Sequence, residues 1–235
     1  SGNPDPTTYA IGSNLSITPF IHGLVGYWPL NEGSGTTAYD NSGWNNNGTL
    51  LDATTTDTGP TWTTTGCLNG GSCLNFDGTD DYINLPSTTD IQEPITILLW
   101  FYSTDGGGYI FAADPGPRIF LPSNLEFNAD IEINTAWQPW IVDATPITDN
   151  VWNEVAYVIN GTTQSLYVNG NLISSGSIAS GTVTYNSSTP FVIGADNYIS
   201  SPYHQLYAGR GDGMRLYNAT LTSAQIQAIY NAEKP

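Results

Sequence analysis

Hydrophobic residues in this chain recur in short runs cut by glycine and asparagine, which is a strand-and-turn pattern. The run Ile95-Thr96-Ile97-Leu98-Leu99-Trp100-Phe101-Tyr102 is rich in β-formers and stops at Asp105-Gly106-Gly107-Gly108. Trp152 to Ile159, Ser165 to Val168 and Leu172 to Ser174 predict a meander. Its turns carry Asn160-Gly161 and Asn169-Gly170, the dipeptides that tight hairpins favour. Phe191-Val192-Ile193-Gly194 and Met214-Arg215-Leu216-Tyr217 predict two more short strands. Near the C-terminus the period changes. Thr222-Ser223-Ala224-Gln225 is a capping box, and Ile226, Ile229 and Tyr230 follow at helical spacing. Near the N-terminus Tyr9, Ile11, Ser13, Leu15 and Ile17 alternate with Ala10, Gly12, Asn14, Ser16 and Thr18. That period of two predicts one further strand with a buried face. Many short strands with Gly and Asn turns predict an all-β sandwich.

The order of the pieces carries more than any one of them. Gly23 to Leu50 reads GLVGYWPLNEGSGTTAYDNSGWNNNGTL, an apolar strand ending in Trp28, an E-G-S-G turn and an acidic, Asn-rich loop at Asp40-Asn41-Ser42-Gly43. Next come Phe76-Asp77-Gly78-Thr79-Asp80-Asp81-Tyr82, then Trp152-Asn153-Glu154-Val155 with Leu166-Tyr167-Val168-Asn169-Gly170, then Arg215-Leu216-Tyr217-Asn218-Ala219-Thr220-Leu221-Thr222. This succession resembles the laminin-G-like, concanavalin A-like lectin jelly rolls from about residue 23 to 232. The resemblance implies a concanavalin-like jelly-roll sandwich over 23–235, with a short C-terminal helix and residues 1–22 as an N-terminal extension. It also implies a scaffold that mostly binds and assembles and only sometimes catalyses, so function must be argued from the site.

Charge narrows the choice of partner. The 235 residues include 21 Asp and Glu against 4 Lys and Arg, a formal net charge of -17. Most carboxylates therefore have no basic partner; they face solvent, bind cations or are protonated in an acidic habitat. Nucleic acid and anionic membrane surfaces are poor partners for such a chain. No apolar run approaches the length of a membrane span. The start, Ser1-Gly2-Asn3-Pro4, reads as a mature form whose leader has been removed.

Cys67 and Cys73 bracket Leu68-Asn69-Gly70-Gly71-Ser72, a flexible loop that lets the sulfurs meet; free thiols are the other reading. A disulfide implies an oxidising, extracellular or cell-surface setting. Five N-glycosylation sequons point the same way, at Asn14, Asn47, Asn160, Asn186 and Asn218.

The resemblance implies a structural calcium near the first loops, with Asp40 and Asp212 at the family's acidic positions and Glu32 in the E-G-S-G turn. Hard cations want several oxygen ligands from such loops, yet the same residues also suit turn capping and local hydrogen bonds. Catalysis has little support. His22 and His204 sit in no nucleophile–base pattern, and Asp80-Asp81 falls in a turn and strand where turn chemistry outweighs glycoside hydrolysis. Arg210-Gly211-Asp212 spells an adhesion tripeptide but overlaps the turn before the last strand. Trp44, Trp62, Trp137, Trp140, Tyr198, Tyr203 and Tyr207 are available for stacking on sugars, and Trp137-Gln138-Pro139-Trp140 is the best exposed pair in this reading.

Two functions follow. The first is a non-catalytic, extracellular structural or adhesive protein that forms a homopolymeric filament. Its N-terminal strand, with Tyr9, Ile11, Leu15 and Ile17 as anchors, would add to a neighbouring subunit's sheet. The alternative is a carbohydrate-binding lectin-like module for extracellular glycans; a glycan-active enzyme is a distant third.

Overall fold

The continuous apolar run of the Ile95–Ser103 strand exists because both of its faces are buried. Ile95, Ile97, Leu99 and Phe101 point into one hydrophobic core, while Leu98 points into a second, beneath the closing helix. Its neighbour Trp152–Asn160 divides likewise: Val155, Tyr157 and Ile159 enter the first core, Ala156 and Val158 the second. Alternation in a strand sends successive side chains to opposite faces, so a layer on each side turns the usual polar alternation into an unbroken apolar run.

The structure is a computed structural model. It describes residues 10–11, 15–16, 22–53, 59–68, 70–86, 91–104, 107–113, 115–143, 146–185, 190–196 and 205–235. Two eight-stranded antiparallel sheets face each other. The back sheet runs, in spatial order, Asn171–Ser177, Thr163–Val168, Trp152–Asn160, Ile95–Ser103, Ala208–Tyr217, Cys73–Asp77 and Thr61–Thr63. Leu24–Trp28 pairs the far half of Ala208–Tyr217, with Met214 opposite Trp28. The front sheet runs Ile141–Val142, Asn128–Asp130, Arg118–Leu121, Gly108–Ala112, Phe191–Ile193, Asp81–Leu85, Gly48–Asp52 and Thr37–Ala38. Between them lies the main core, where Phe101 meets Phe127 edge-on at 5.0 Å and Phe111 meets Phe191 at 5.8 Å. This is the sandwich the sequence predicts.

The meander forms as expected. Val168 pairs Asn171 across Asn169-Gly170, both with positive φ, the backbone that a two-residue primed turn requires. Asn160 pairs Thr163 across Gly161-Thr162, where only Gly161 has positive φ, so this turn sits one residue later than the dipeptide suggests. The helix Ser223–Glu233 starts at the predicted capping box: Thr222 N–H donates to Gln225 Oε1 at 2.8 Å, and Gln225 N–H to Thr222 Oγ1 at 3.3 Å. Cys67 and Cys73 form the predicted disulfide, with Cα atoms 5.5 Å apart.

Two expectations change. The glycine-rich Gly209-Arg210-Gly211-Asp212-Gly213 does not end as a turn before a short strand; it is the first half of one ten-residue strand, Ala208–Tyr217, with a register shift between Asp212 and Arg215. The glycines permit close approach: a Cβ on Gly209 would stand 2.2 Å from the Tyr102 carbonyl oxygen, and on Gly211 3.2 Å from the Phe76 ring. At the N-terminus, Ala10–Ile11 and Leu15–Ser16 pair antiparallel with each other, Ile11 opposite Leu15, in a sheet apart from the two large ones. One continuous strand through both segments is therefore not what forms. Tyr9 and Ile17 lie outside the described residues.

The outer face of the back sheet holds a buried polar layer. Arg215 gives Nη1–H to Glu233 Oε2 at 3.1 Å and Nη2–H to Glu233 Oε1, tying the helix's last turn to the sheet. Trp100 donates its indole N–H to Glu233 Oε2 at 3.0 Å and stacks on Tyr230. Two further acids share this space. Burial, with repulsion from Glu233, raises Glu154 to about 8 against an attraction to Arg215. The Gly170 N–H lowers that value somewhat, yet neither Glu154 oxygen has a well-formed hydrogen bond. Burial raises Asp212 to about 7, opposed by the nearby Leu68 and Gly213 amides. Both acids hold their protons in the fold at pH values where the unfolded chain has lost them. The contribution of these two acids to stability is therefore fully present below about pH 5 and is lost as pH rises to about 8. Melting temperatures across this window should decline, and Glu154→Gln should flatten the decline. An unaltered profile in the variant would reject Glu154 as its source.

Candidate functional site

The exposed tryptophan pair sits on a loop that is fixed at each step. Glu132–Ile133 and Ala136–Trp137 form a small hairpin of their own, with Glu132 opposite Trp137. Gln138 N–H then donates to the Ile131 carbonyl at 2.9 Å. The buried Gln138 side chain gives Nε2–H to Ala136 O at 2.8 Å and accepts Ala179 N–H at 2.8 Å. Pro139 O accepts Gln164 Nε2–H at 2.7 Å, and Gln164 Oε1 accepts the buried Tyr157 hydroxyl at 2.6 Å. The loop is thereby tied to both sheets, and the residues between the two indoles have little freedom. Trp137 and Trp140 remain 39% and 41% exposed, with Val142 beside them at 41%.

Arg118 lies beneath this pair. Its guanidinium carbon is 3.5 Å from the centre of the Trp137 ring, 5.2 Å from that of Trp140 and 5.7 Å from that of Tyr109. Asp130, its cross-strand partner, fixes it from the other side: Nε–H to Oδ1 at 3.0 Å and Nη2–H to Oδ2 at 2.6 Å. Asp130 is 1% exposed. A bidentate carboxylate and a stack of aromatic faces are the two settings that suit a planar guanidinium, so the ring edges it supports are held in place. Tyr109 packs in turn on Phe120 at 4.8 Å. The two indoles thus form a pinned, half-exposed aromatic surface packed on a cation.

The other predicted aromatics divide. Tyr207 is 1% exposed and packs on Phe76, so it cannot serve as a surface platform. Trp62 is half-buried and donates to Gly35 O at 2.8 Å. Trp44 is 52% exposed but donates its N–H to Leu24 O at 3.2 Å. Tyr198, Tyr203 and His204 lie outside the described residues, and His22 is exposed.

The expected calcium ligands do not converge. Asp40 accepts Tyr27 N–H at 2.9 Å and Ser42 N–H at 2.8 Å on Oδ1, and Ser42 Oγ–H and Asn46 N–H, both at 2.8 Å, on Oδ2. A carboxylate has about four lone-pair positions, and here four protein donors reach them. Glu32 accepts Tyr39 N–H at 2.7 Å on Oε1, while its Oε2 is buried without a hydrogen-bond partner. Asp212 belongs to the polar layer under the helix. Among the described residues the three acids whose ligand atoms come together, within 4.8 Å, are Asp77, Asp80 and Asp81. Their hydrogen bonds are those of a turn: Asp77 Oδ1 accepts Thr79 N–H at 2.7 Å, and Asp81 Oδ2 accepts Asp77 N–H at 2.8 Å. Of the sequons, Asn160 and Asn218 are exposed; Asn47 is half-buried with Oδ1 bonded to Asp40 N–H at 2.9 Å; Asn14 and Asn186 lie outside the described residues.

Residues 77–227 match the concanavalin A-like lectin/glucanases superfamily. No curated protein sequence matches the chain. Among solved structures, it resembles domain 4 of AbnA, a GH43 extracellular arabinanase from Geobacillus stearothermophilus, solved in complex with arabinotriose. The two are 20% identical with a TM-score of 0.62 over 88% of this chain and 98% of that one. It also resembles the binding domain of Paraclostridial Mosquitocidal Protein 1, at 16% identity and a TM-score of 0.69, over 89% of this chain and 52% of that one. A third is a structure from botulinum neurotoxin type C, a toxin whose cell entry is dependent upon interaction with two ganglioside molecules. It is 13% identical with a TM-score of 0.66, over 94% of this chain and 54% of that one. The chain thus spans about half the length of the toxin chains. At these identities the likeness establishes the fold.

Because four protein donors already reach the Asp40 carboxylate, removing divalent cations should leave the melting temperature unchanged. Asp40→Ala should lower stability with or without chelator, by several kcal/mol, since four donors lose their acceptor at roughly 1 kcal/mol or more each. Calorimetry in chelator and in calcium checks this; a calcium-dependent rise that Asp40→Ala abolishes would mean that a cation displaces these donors.

Proposed function

The chain belongs to the concanavalin A-like lectin/glucanases superfamily, and from that premise we propose that it is a non-catalytic, extracellular glycan-binding module. The observation that carries this reading is the Trp137–Trp140 platform: two half-exposed indoles on a pinned loop, with Arg118 held between their rings and Asp130. A sugar stacking on these rings meets groups already in place, so binding loses little conformational entropy. The carboxylate in this platform, Asp130, is buried and gives both oxygens to Arg118, an arrangement that suits holding rather than proton transfer.

The neighbours lend support. The arabinanase domain was solved with arabinotriose, and the type C toxin depends upon two gangliosides. The disulfide agrees with an extracellular setting, and none of the described helices is long and apolar enough to cross a membrane. The other expectation, filament growth through the N-terminal strand, has less behind it. A donor strand must leave its backbone groups for a neighbour, whereas Ala10–Ile11 and Leu15–Ser16 pair with one another.

Trp137→Ala and Trp140→Ala should each weaken glycan binding at least tenfold, about 1.4 kcal/mol, with little change in melting temperature because both side chains are half-exposed. Titration calorimetry against arabinan oligosaccharides and ganglioside head groups, chosen after a glycan array, reads this out. Equal affinity in both variants would place the site elsewhere; no binding to any arrayed glycan would reject the lectin reading.

A further inference from the structure

Among the described residues five strands of the two large sheets pair on one side only, and they are of very unequal length; Leu24–Trp28, beside Ala208–Tyr217, has five residues. Thr37–Ala38, Ile141–Val142 and Thr61–Thr63 have two or three residues each. Asn171–Ser177 has seven, and among the described residues it pairs on one side only, with Thr163–Val168. Edges are ordinarily kept short or guarded by Lys, Pro or inward charge, because unpaired N–H and C=O groups invite another strand. This edge has none of those guards. Its sequence is Asn-Leu-Ile-Ser-Ser-Gly-Ser, and Leu172 and Ile173 stand 53% and 39% exposed.

The surrounding charge is equally uneven. The chain carries 25 charged side chains, 21 acidic and 4 basic, yet residues 155–195 contain none. Two copies with a net charge of -17 repel one another over most of their surfaces. The charge-free hairpin is a surface on which two such copies would meet without placing that segment's own carboxylates against one another. A basic partner, conversely, would find no counter-charge there.

We propose that Asn171–Ser177 is a self-association edge, which pairs antiparallel with the same strand of a second copy about a two-fold axis. An isologous contact of this kind closes on itself as a dimer. With Ser174 near the axis, Leu172 lies opposite Gly176 and Ile173 opposite Ser175, so each large side chain meets a small one. The register shift beside Ile173 limits the regular ladder and keeps the contact local. One strand pair buries less than a stable interface requires, so the dimer is weak, on the order of micromolar. The edge adjoins the Trp137–Trp140 loop, since Gln164 in the neighbouring strand holds Pro139 and Ala179 N–H holds Gln138. Dimerisation would present two platforms together, although the edge contact stands without the glycan reading.

Sedimentation equilibrium of the full chain, from low micromolar to several hundred micromolar and in low and high salt, tests this. A monomer–dimer equilibrium is expected, and salt should strengthen it by screening the -17 charges, the reverse of a contact made by opposite charges. Leu172→Glu with Ile173→Glu should weaken the dimer at least tenfold at unchanged melting temperature. Should that double variant fold poorly, Ser175→Glu places one charge on the same edge and should act in the same direction. A monomer under all conditions, a dimer indifferent to these variants, or a polymer growing past the dimer would overturn the proposal.

Discussion

The Arg215–Glu233 pair fixes what the back of this molecule can be. Arg215 sits mid-sheet on the strand that pairs with both Ile95–Ser103 and Leu24–Trp28, and Glu233 ends the last helix. Burial works against the Arg215 charge, but Glu233, with Tyr27 and Tyr217 nearby, more than compensates and holds its pKa above the ordinary value. Removing either partner would leave a buried charge alone, an error worth roughly 3–5 kcal/mol. The helix is therefore docked by one specific contact as well as by Ile226 and Ile229. Trp100 reads the same contact, through its hydrogen bond to Glu233 and its stack on Tyr230. Glu154 and Asp212 can share that space because their protons stay on, which couples the back layer to pH.

Features set by neighbours in sequence were legible; features set by neighbours in space were not. The Asn169-Gly170 turn, the Thr222–Gln225 capping box and the Cys67–Cys73 loop each follow from a few adjacent residues. Gly209-Arg210-Gly211-Asp212-Gly213 reads as a turn because glycine usually marks one, yet here glycine lets Tyr102 and Phe76 come close to a strand. Trp137 and Trp140 were visible as an exposed pair, but Arg118 was not. It reaches them through its pairing with Asp130 across the sheet, and nothing near Arg118 in the chain announces that. Asp40 shows the same limit from the other side. Its loop position suits a cation, and only the four donors around it show that the protein itself supplies the positive ends of the interaction.

The use of basic residues gives the platform its distinction. The chain has four, Arg118, Arg210, Arg215 and Lys234, and each lies over an aromatic ring: Trp137 for Arg118, Tyr102 for Arg210, Tyr27 for Arg215 and Tyr230 for Lys234. In a chain so short of cations, little positive charge is left at the surface to steer anions. The three arginines join strands or elements by stacking, an interaction that gains as water is excluded, while Lys234 packs back on its own helix. Arg215 is buried in the back layer, and Arg210 donates to Gly66 O at 3.4 Å beside the disulfide loop. Lys234 ends the chain over Tyr230, which itself stacks on Trp100. Arg118 alone supports two rings that stand about 40% exposed. Arg210 and Arg215 thus fasten strands within the fold, and Arg118 stiffens the face that, on the proposed function, a neutral, ring-shaped ligand would meet. A strongly acidic chain repels anions, so its binding face does best when built from rings and shape rather than from charge.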